Sequence, residues 1–393
     1  MTLVTDRLTV RGREALLGRN EIFTGFFMAE APRLAAACAE MSRRFLAGGR
    51  LLAFGQGAAA TDAQHVSVEF VHPVIVGKRA LPALDVSDHF PSRLPVLVQP
   101  EDMVMGFSFG ADDETVASAL HTARQRGALT FAISGTDADW PFSLPHGNAF
   151  IAQEVCELLY HMLWETVHVF FEHREQGHDV GASSFLYPFL GSKEQNLDAV
   201  DSAVHASMVQ KLEEVNRLRT VTAEPAADAL AATATAIAAR LLRGGKLLIF
   251  GNGGSATDAN DLAIDCVMPP PGLRPVPAIS LAAEPANITA IANDIGAEAI
   301  FTRQLIAHGH PADVAIGIST SGGSPNIVSA LAEARRQGML TVALAGYDGG
   351  RIVAERLADH VLVVNSDYIP RIQEVQASIY HVLRGLIDEI VRA

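Results

Sequence analysis

At 393 residues the chain is longer than one ordinary hydrophobic core supports, so two domains are the natural expectation. Apolar residues make up 49% of it, charged residues 19% and aromatic residues 6%, the composition of an Ala-rich, helix-rich globular protein and not of a disordered one. A net charge of -14 excludes broad contact with nucleic acid or an anionic membrane surface, but not a small phosphorylated ligand, which backbone amides and hydroxyls can hold without a basic patch.

The first twenty residues alternate charged and apolar positions without a continuous hydrophobic run, so no signal peptide is expected. Residues 23–46 space their apolar positions as a helix does, and Gly48-Gly49 ends it. A strand at 50–54 is followed by GQGAAATDAQHVSVEF (55–70), a turn that opens a helix, and further apolar strands read at 81–86, 103–108 and 129–134. Residues 173–196 mix Gly, Ser, Pro and charge and read as a linker between domains at 1–172 and 197–393. Helical periodicity resumes at 197–219, and the Ala-rich stretch 226–242, interrupted by Asp228 and Arg240, reads as a buried helix. Strands at 247–250, 276–281, 313–319, 340–345 and 360–364 complete the pattern, and no stretch is long enough to cross a bilayer. Cys38, Cys156 and Cys266 stand isolated in apolar helical contexts, which fits a reducing cytoplasm and neither a disulfide framework nor a zinc finger.

The chain also resembles itself. Residues 41–65 align without gaps on 237–261 at an offset of 196, and residues 99–135 align on 310–346 at an offset of 211. Two blocks in the same order mark a tandem duplication, with roughly fifteen extra residues in the second copy around 283–301. Strands alternating with helices at this spacing predict parallel, doubly wound α/β sheets with helices on both faces. Ligands of such sheets sit beyond the carboxyl ends of the strands, where the loops 251–255 and 319–324 fall.

Both loops are built for an anion. In GNGGS (251–255) the glycines let backbone N–H groups approach a phosphate, the following helix adds unpaired donors and its positive end, and Ser255 adds a hydroxyl. STSGGSPN (319–326) offers Ser319, Thr320, Ser321 and Ser324 at a second strand-to-helix turn. A serine-rich helix start accounts for one or two such residues, but not for four together with Ser255.

GNGGSATDA, TAIANDIG (289–296), GISTSGGSPN (317–326), GYDGG (346–350) and RIQEVQASIYH (371–381) together resemble the phosphoheptose isomerases. These are sugar-isomerase-type (SIS) domains that convert sedoheptulose 7-phosphate to glycero-manno-heptose 7-phosphate. The resemblance spans most of 197–393 and implies two tandem five-stranded, flavodoxin-like parallel sheets with long flanking helices. It implies a phosphate held by Asn252, Gly253, Ser255, Ser319, Thr320, Ser321 and Ser324, with Asn293, Asp294 and Gln373 meeting the rest of the substrate.

The second copy departs from the family on the helix after GNGGS. Where the family has a histidine and, four residues later, a glutamate for zinc and proton transfer, this chain has Asp261 and Asp265, while Gln373 and His381 match the remaining pair. The first copy shows the reverse. GQGAAA lacks the serine, and FSFGADDE (107–114) puts Asp112 and Asp113 where a phosphate would sit, yet His65 and Glu69 stand four apart on one helix face, with Gln153 and His161 matching the other pair.

The resemblance therefore implies zinc at His65, Glu69, Gln153 and His161, with Asp261, Asp265, Gln373 and His381 as the weaker set. Gln153 and His161 lie about 12 Å apart in helical rise, so their side chains must converge to share one ion. The two copies look complementary, one keeping phosphate-binding groups and the other chemical groups. Family sites lie at subunit contacts of a tetramer, which implies composite sites and a homodimer that rebuilds the tetramer. The expected reaction is an aldose–ketose isomerisation through an enediol, with Glu69 as base and His161 as acid. The rival expectations are a phosphosugar-binding sensor or scaffold without catalysis, and an isomerase of another phosphosugar.

Overall fold

The computed structural model describes residues 2–74, 78–109, 113–135, 137–145, 147–176 and 197–392. Asp112 and residues 177–196 of the expected linker lie outside them. The chain opens with a helix of 45 residues, α1 (Thr2–Leu46), which starts well before the helix expected at 23–46 and accommodates Pro32. Leu8, Leu16, Phe23 and Phe27 are buried along it at near-heptad spacing, so the charged N-terminal residues form the outer face of the same helix.

Then come β1 (Leu51–Gly55), α2 (Ala59–Val71), β2 (Ala83–Asp85), α3 (Phe90–Leu97), β3 (Met103–Phe107), α4 (Glu114–Gln125), β4 (Leu129–Ile133), β5 (Trp140–Phe142) and α5 (Ala149–Gln176). A second helix of 45 residues, α6 (Leu197–Leu241), passes through Pro225 and fuses the two helical stretches read at 197–219 and 226–242. It leads into β6 (Leu247–Phe250), α7 (Gly254–Val267), β7 (Ala278–Ser280), α8 (Pro285–Asp294), α9 (Ile300–His308), β8 (Val314–Ser319), α10 (Pro325–Arg336), β9 (Leu340–Gly346), α11 (Gly350–Ala354), β10 (His360–Val364) and α12 (Ile369–Arg392).

Both sheets are five-stranded and parallel throughout, in the orders β2-β1-β3-β4-β5 and β7-β6-β8-β9-β10. These are the same doubly wound, flavodoxin-like order written twice. β5 gave no sequence signal because it has three residues, one of them Pro141. The extra residues of the second copy build one more helix: α8 and α9 stand between β7 and β8, where α3 alone stands between β2 and β3.

The duplication is repeated in the bonds that pin the strands. Arg50 pairs with Asp102 at 2.7 Å, and at the equivalent positions Lys246 pairs with Asp313 at 2.6 Å. Asp139 accepts from the backbone N–H of Thr130 at 2.8 Å, and Asp359 from that of Thr341 at 2.9 Å. β3, β4, β8 and β9 are buried along their whole length, as the middle strands of a sheet covered on both faces must be. One core gathers Phe54, Phe90, Val104 and Leu120, the other Phe250, Phe301, Ile327 and Leu331, and each such side chain contributes roughly 1.5–3 kcal/mol by leaving water.

The chain forms two compact units whose limits fall inside the long helices. The N-terminal unit is Glu21–Glu214, and the C-terminal unit is Met1–Asn20 with Val215–Ala393. The last part of the N-terminal unit is anchored by an ion pair between Lys211 Nζ and Glu165 Oε2 at 2.5 Å, both side chains almost fully buried. In the C-terminal unit Asn20 donates to the Asn216 carbonyl at 3.3 Å and to Thr220 Oγ1 at 3.0 Å, and its own Oδ1 accepts from Arg219 at 2.7 Å.

Candidate active site

In the C-terminal unit the glycine-rich loop 251–255 and the serine-rich loop 319–324 lie at the carboxyl ends of neighbouring strands, β6 and β8. Gly253 forms the entry to α7 with φ 56°, a conformation that glycine adopts without penalty. Ser255 is buried in the first turn of α7, whereas Asn252 is exposed and exchanges two amide hydrogen bonds with Asn326, at 3.0 and 2.8 Å.

In the second loop Ser319 Oγ lies 3.5 Å from Ser321 Oγ and 3.4 Å from Ser324 Oγ, and accepts from the N–H of Gly322 at 3.1 Å. Thr320 between them is half-buried. The backbone holds this shape because Gly322, at φ 61°, packs against Gly349, where a Cβ would come within 2.2 Å of the carbonyl oxygen. GYDGG thus braces STSGG. Ser324 is the residue before α10 and its hydroxyl does not cap that helix; Pro325 brings no N–H, and the Ile327 N–H donates to Asn326 Oδ1 at 3.0 Å.

Asn293 and Asp294 end α8 exposed to solvent, and the Asn293 amide donates to the Asp294 carboxylate at 2.8 Å. Gln373 is buried on α12.

In the N-terminal unit the equivalent helix start is capped by an acidic side chain. Asp113 accepts from the N–H groups of Thr115 at 3.1 Å and Val116 at 3.2 Å, so a side-chain carboxylate occupies the start of α4. Instead this unit assembles titratable groups behind its sheet. His65 and Glu69 on α2 and His161 on α5 are all buried, with ligand atoms within 4.8 Å of one another. His65 Nε2 lies 3.7 Å from Glu69 Oε1, and its ring centroid lies 5.2 Å from that of His161.

Two neighbours orient the cluster. The Tyr160 hydroxyl sits 2.9 Å from His65 Nδ1, which turns Nε2 toward Glu69, and Trp164 Nε1 donates to Glu69 Oε2. Burial first, and the nearby His161 second, hold the His65 pKa well below the ordinary imidazole value, so the ring is neutral at physiological pH. Two imidazoles and one carboxylate, with an outer partner on two of the three, suit a zinc ion. Gln153, on the same face-to-face helix pair, is buried two helical turns before His161.

The second copy has a different set in the same place. His381 Nε2 on α12 lies 3.5 Å from Asp261 Oδ2 and 3.2 Å from Asp265 Oδ2 on α7, and the Tyr380 hydroxyl donates to Asp261 Oδ2 at 3.0 Å. Burial and the neighbouring Asp261 carboxylate raise the Asp265 pKa to about 6.

Sequence reasoning did not find Asn326, Tyr160, Tyr380, Trp164 or Arg384. The two tyrosines carried a signal, since each directly precedes the histidine of its copy.

Parallel doubly wound sheets with hydroxyl-rich loops at their carboxyl ends define a class, the SIS domain, and that family matches residues 212–346. A phosphoheptose isomerase of Solidesulfovibrio magneticus is 45% identical over 163 residues, 41% of this chain and 78% of that one. One of Paramagnetospirillum magneticum is 46% identical over 151 residues, 38% of this chain and 78% of the other. The chain belongs to the phosphoheptose isomerase family. Over its full length the fold is similar to the C-terminal domain of glucosamine-fructose-6-phosphate aminotransferase from Francisella tularensis, with a TM-score of 0.63, 10% identity, and coverage of 96% of this chain and 95% of that one. Among the described residues no helix is long and apolar enough to cross a membrane.

Proposed function

We propose that this chain is an aldose–ketose isomerase of a sugar phosphate, with sedoheptulose 7-phosphate as substrate and glycero-manno-heptose 7-phosphate as product. The observation that carries the reading is that the Ser321 and Ser324 hydroxyls both lie within 3.5 Å of the Ser319 hydroxyl, at a helix start that Ser324 does not cap. Hydroxyl and amide donors at such a place select a phosphate dianion without needing a basic side chain. Ser255, Thr320, Asn252 and Gly253 complete the phosphate end in this reading, and Asn293, Asp294 and Gln373 are assigned to the sugar.

Glu69 is the base that removes the proton from the carbon beside the carbonyl, and His161 is the acid that protonates the neighbouring oxygen. Trp164 holds the Glu69 carboxylate in place by donating its indole N–H to Oε2. His65, Glu69 and His161, with Gln153, are the residues that would hold zinc, which supplies carbonyl polarisation when bound. By the same reading the protein is cytoplasmic and works as a homodimer of tandem SIS domains.

The test is direct. Purified protein incubated with sedoheptulose 7-phosphate gives the aldose product in the reading proposed here. Thermal stabilisation by that ligand without product would make the chain a phosphosugar sensor instead.

A further inference from the structure

The helices α5 and α12 carry the same Tyr-His pair, Tyr160-His161 and Tyr380-His381, but three residues after each histidine they differ: Trp164 in one, Arg384 in the other. Both side chains are buried and both reach the helix that begins at the sheet, α2 or α7. Trp164 offers Glu69 a neutral N–H. Arg384 brings a fixed positive charge instead. Its Nε donates to the Asp265 carbonyl at 3.4 Å, another of its nitrogens bonds the Arg274 carbonyl, and its charge lies close enough to stabilise the Asp265 carboxylate.

The remaining ligand atoms differ in the same sense. In the first cluster the Tyr160 hydroxyl meets the outer nitrogen of His65, and Nε2 faces Glu69 Oε1 at 3.7 Å with no fixed positive charge among the cluster's side chains. In the second, one imidazole nitrogen, His381 Nε2, lies between two carboxylate oxygens, so it serves them best as an N–H donor. The Asp261 oxygen that faces it also accepts from Tyr380. A dication entering here would share the Asp261 oxygen with Tyr380 and approach a buried guanidinium that cannot lose its proton.

We infer that the chain is asymmetric toward metal: the first cluster takes one divalent cation, while Arg384 closes the second, where Asp261, Asp265 and His381 form a metal-free polar lock between α7 and α12. The family's zinc set therefore does not fit the second copy. The inference does not depend on which sugar is the substrate.

Equilibrium dialysis of the full-length protein against Zn²⁺, and separately against Mn²⁺ as the probe that oxygen ligands favour, followed by metal analysis, tests it. The expected content is one ion per chain in either case. His65→Ala or Glu69→Gln lowers retained zinc at least tenfold, whereas Asp265→Asn, verified as folded by circular dichroism, changes it less than twofold. Two ions per chain, no retained ion, or loss of the single ion in Asp265→Asn overturns the inference. The content of the unaltered protein decides the matter even if a variant fails to fold.

Discussion

Asp113 and Ser324 hold the same position in the two copies, the residue before the helix that follows the third strand, and only Asp113 caps its helix. The aspartate places its own carboxylate on the N–H groups of its helix start, while Ser324 Oγ lies 3.4 Å from Ser319 Oγ and accepts nothing from its helix. Asp113→Ala is expected to lower stability by about 1 kcal/mol, the usual worth of such a cap, without affecting phosphate binding. Ser324→Ala is expected to do the opposite, leaving the melting curve within ~0.5 kcal/mol of the parent and weakening inorganic phosphate binding. Chemical denaturation and calorimetric titration with phosphate check both.

Lys211 is the buried partner of Glu165 within the N-terminal unit. Removing one member of such a pair strands the other, so Lys211→Ala should cost about 3 kcal/mol in urea unfolding. The double variant Lys211→Met, Glu165→Leu should recover most of that loss. Equal destabilisation by the single and double variants would show that packing, and not the stranded carboxylate, sets the cost.

Gly322 bridges the serine loop and the GYDGG turn with φ 61° and no room for a Cβ. Gly322→Ala should cost on the order of 1–3 kcal/mol and weaken phosphate binding together with stability, since the brace and the hydroxyl arrangement share one backbone. Phosphate affinity within twofold of the parent would contradict that coupling.

Asp265 has its pKa raised from 3.8 to about 6 by burial and by Asp261. A raised carboxyl pKa means that the folded state favours the protonated form. Its stabilising contribution is therefore complete below about pH 4 and is lost as pH rises through 6, with a slope approaching ~1.4 kcal/mol per pH unit. The stability of the parent relative to Asp265→Asn should accordingly fall between pH 4 and 6.5. A difference that stays flat or rises over that window would show that Arg384 and His381 outweigh the burial.

Much of this was legible because duplication doubles every signal. The two loops, the strand alternation and the fifteen-residue excess were readable, and the excess is α8. The four-residue spacing of His65 and Glu69 on one helix sufficed to predict that they meet. What local pattern could not give was pairing across elements. Trp164 and Arg384 look like ordinary residues of a long helix, and their roles arise only when α5 meets α2 and α12 meets α7. Likewise Asn326 follows the proline that opens α10, and nothing local ties it to Asn252, 74 residues earlier. The length of α1 and α6 was also hidden, because Pro32 and Pro225 sit inside helices that long-range packing carries past them.

The central claim is that Glu69 moves a carbon-bound proton of a sugar phosphate. Isomerisation of sedoheptulose 7-phosphate in D₂O, followed by NMR, tests it most directly. The parent protein should form the aldose with deuterium at the carbon beside the carbonyl, and Glu69→Gln should show neither product nor exchange while still binding the sugar phosphate. Deuterium exchange by Glu69→Gln at the parent's rate, or no exchange by the parent, would contradict the account.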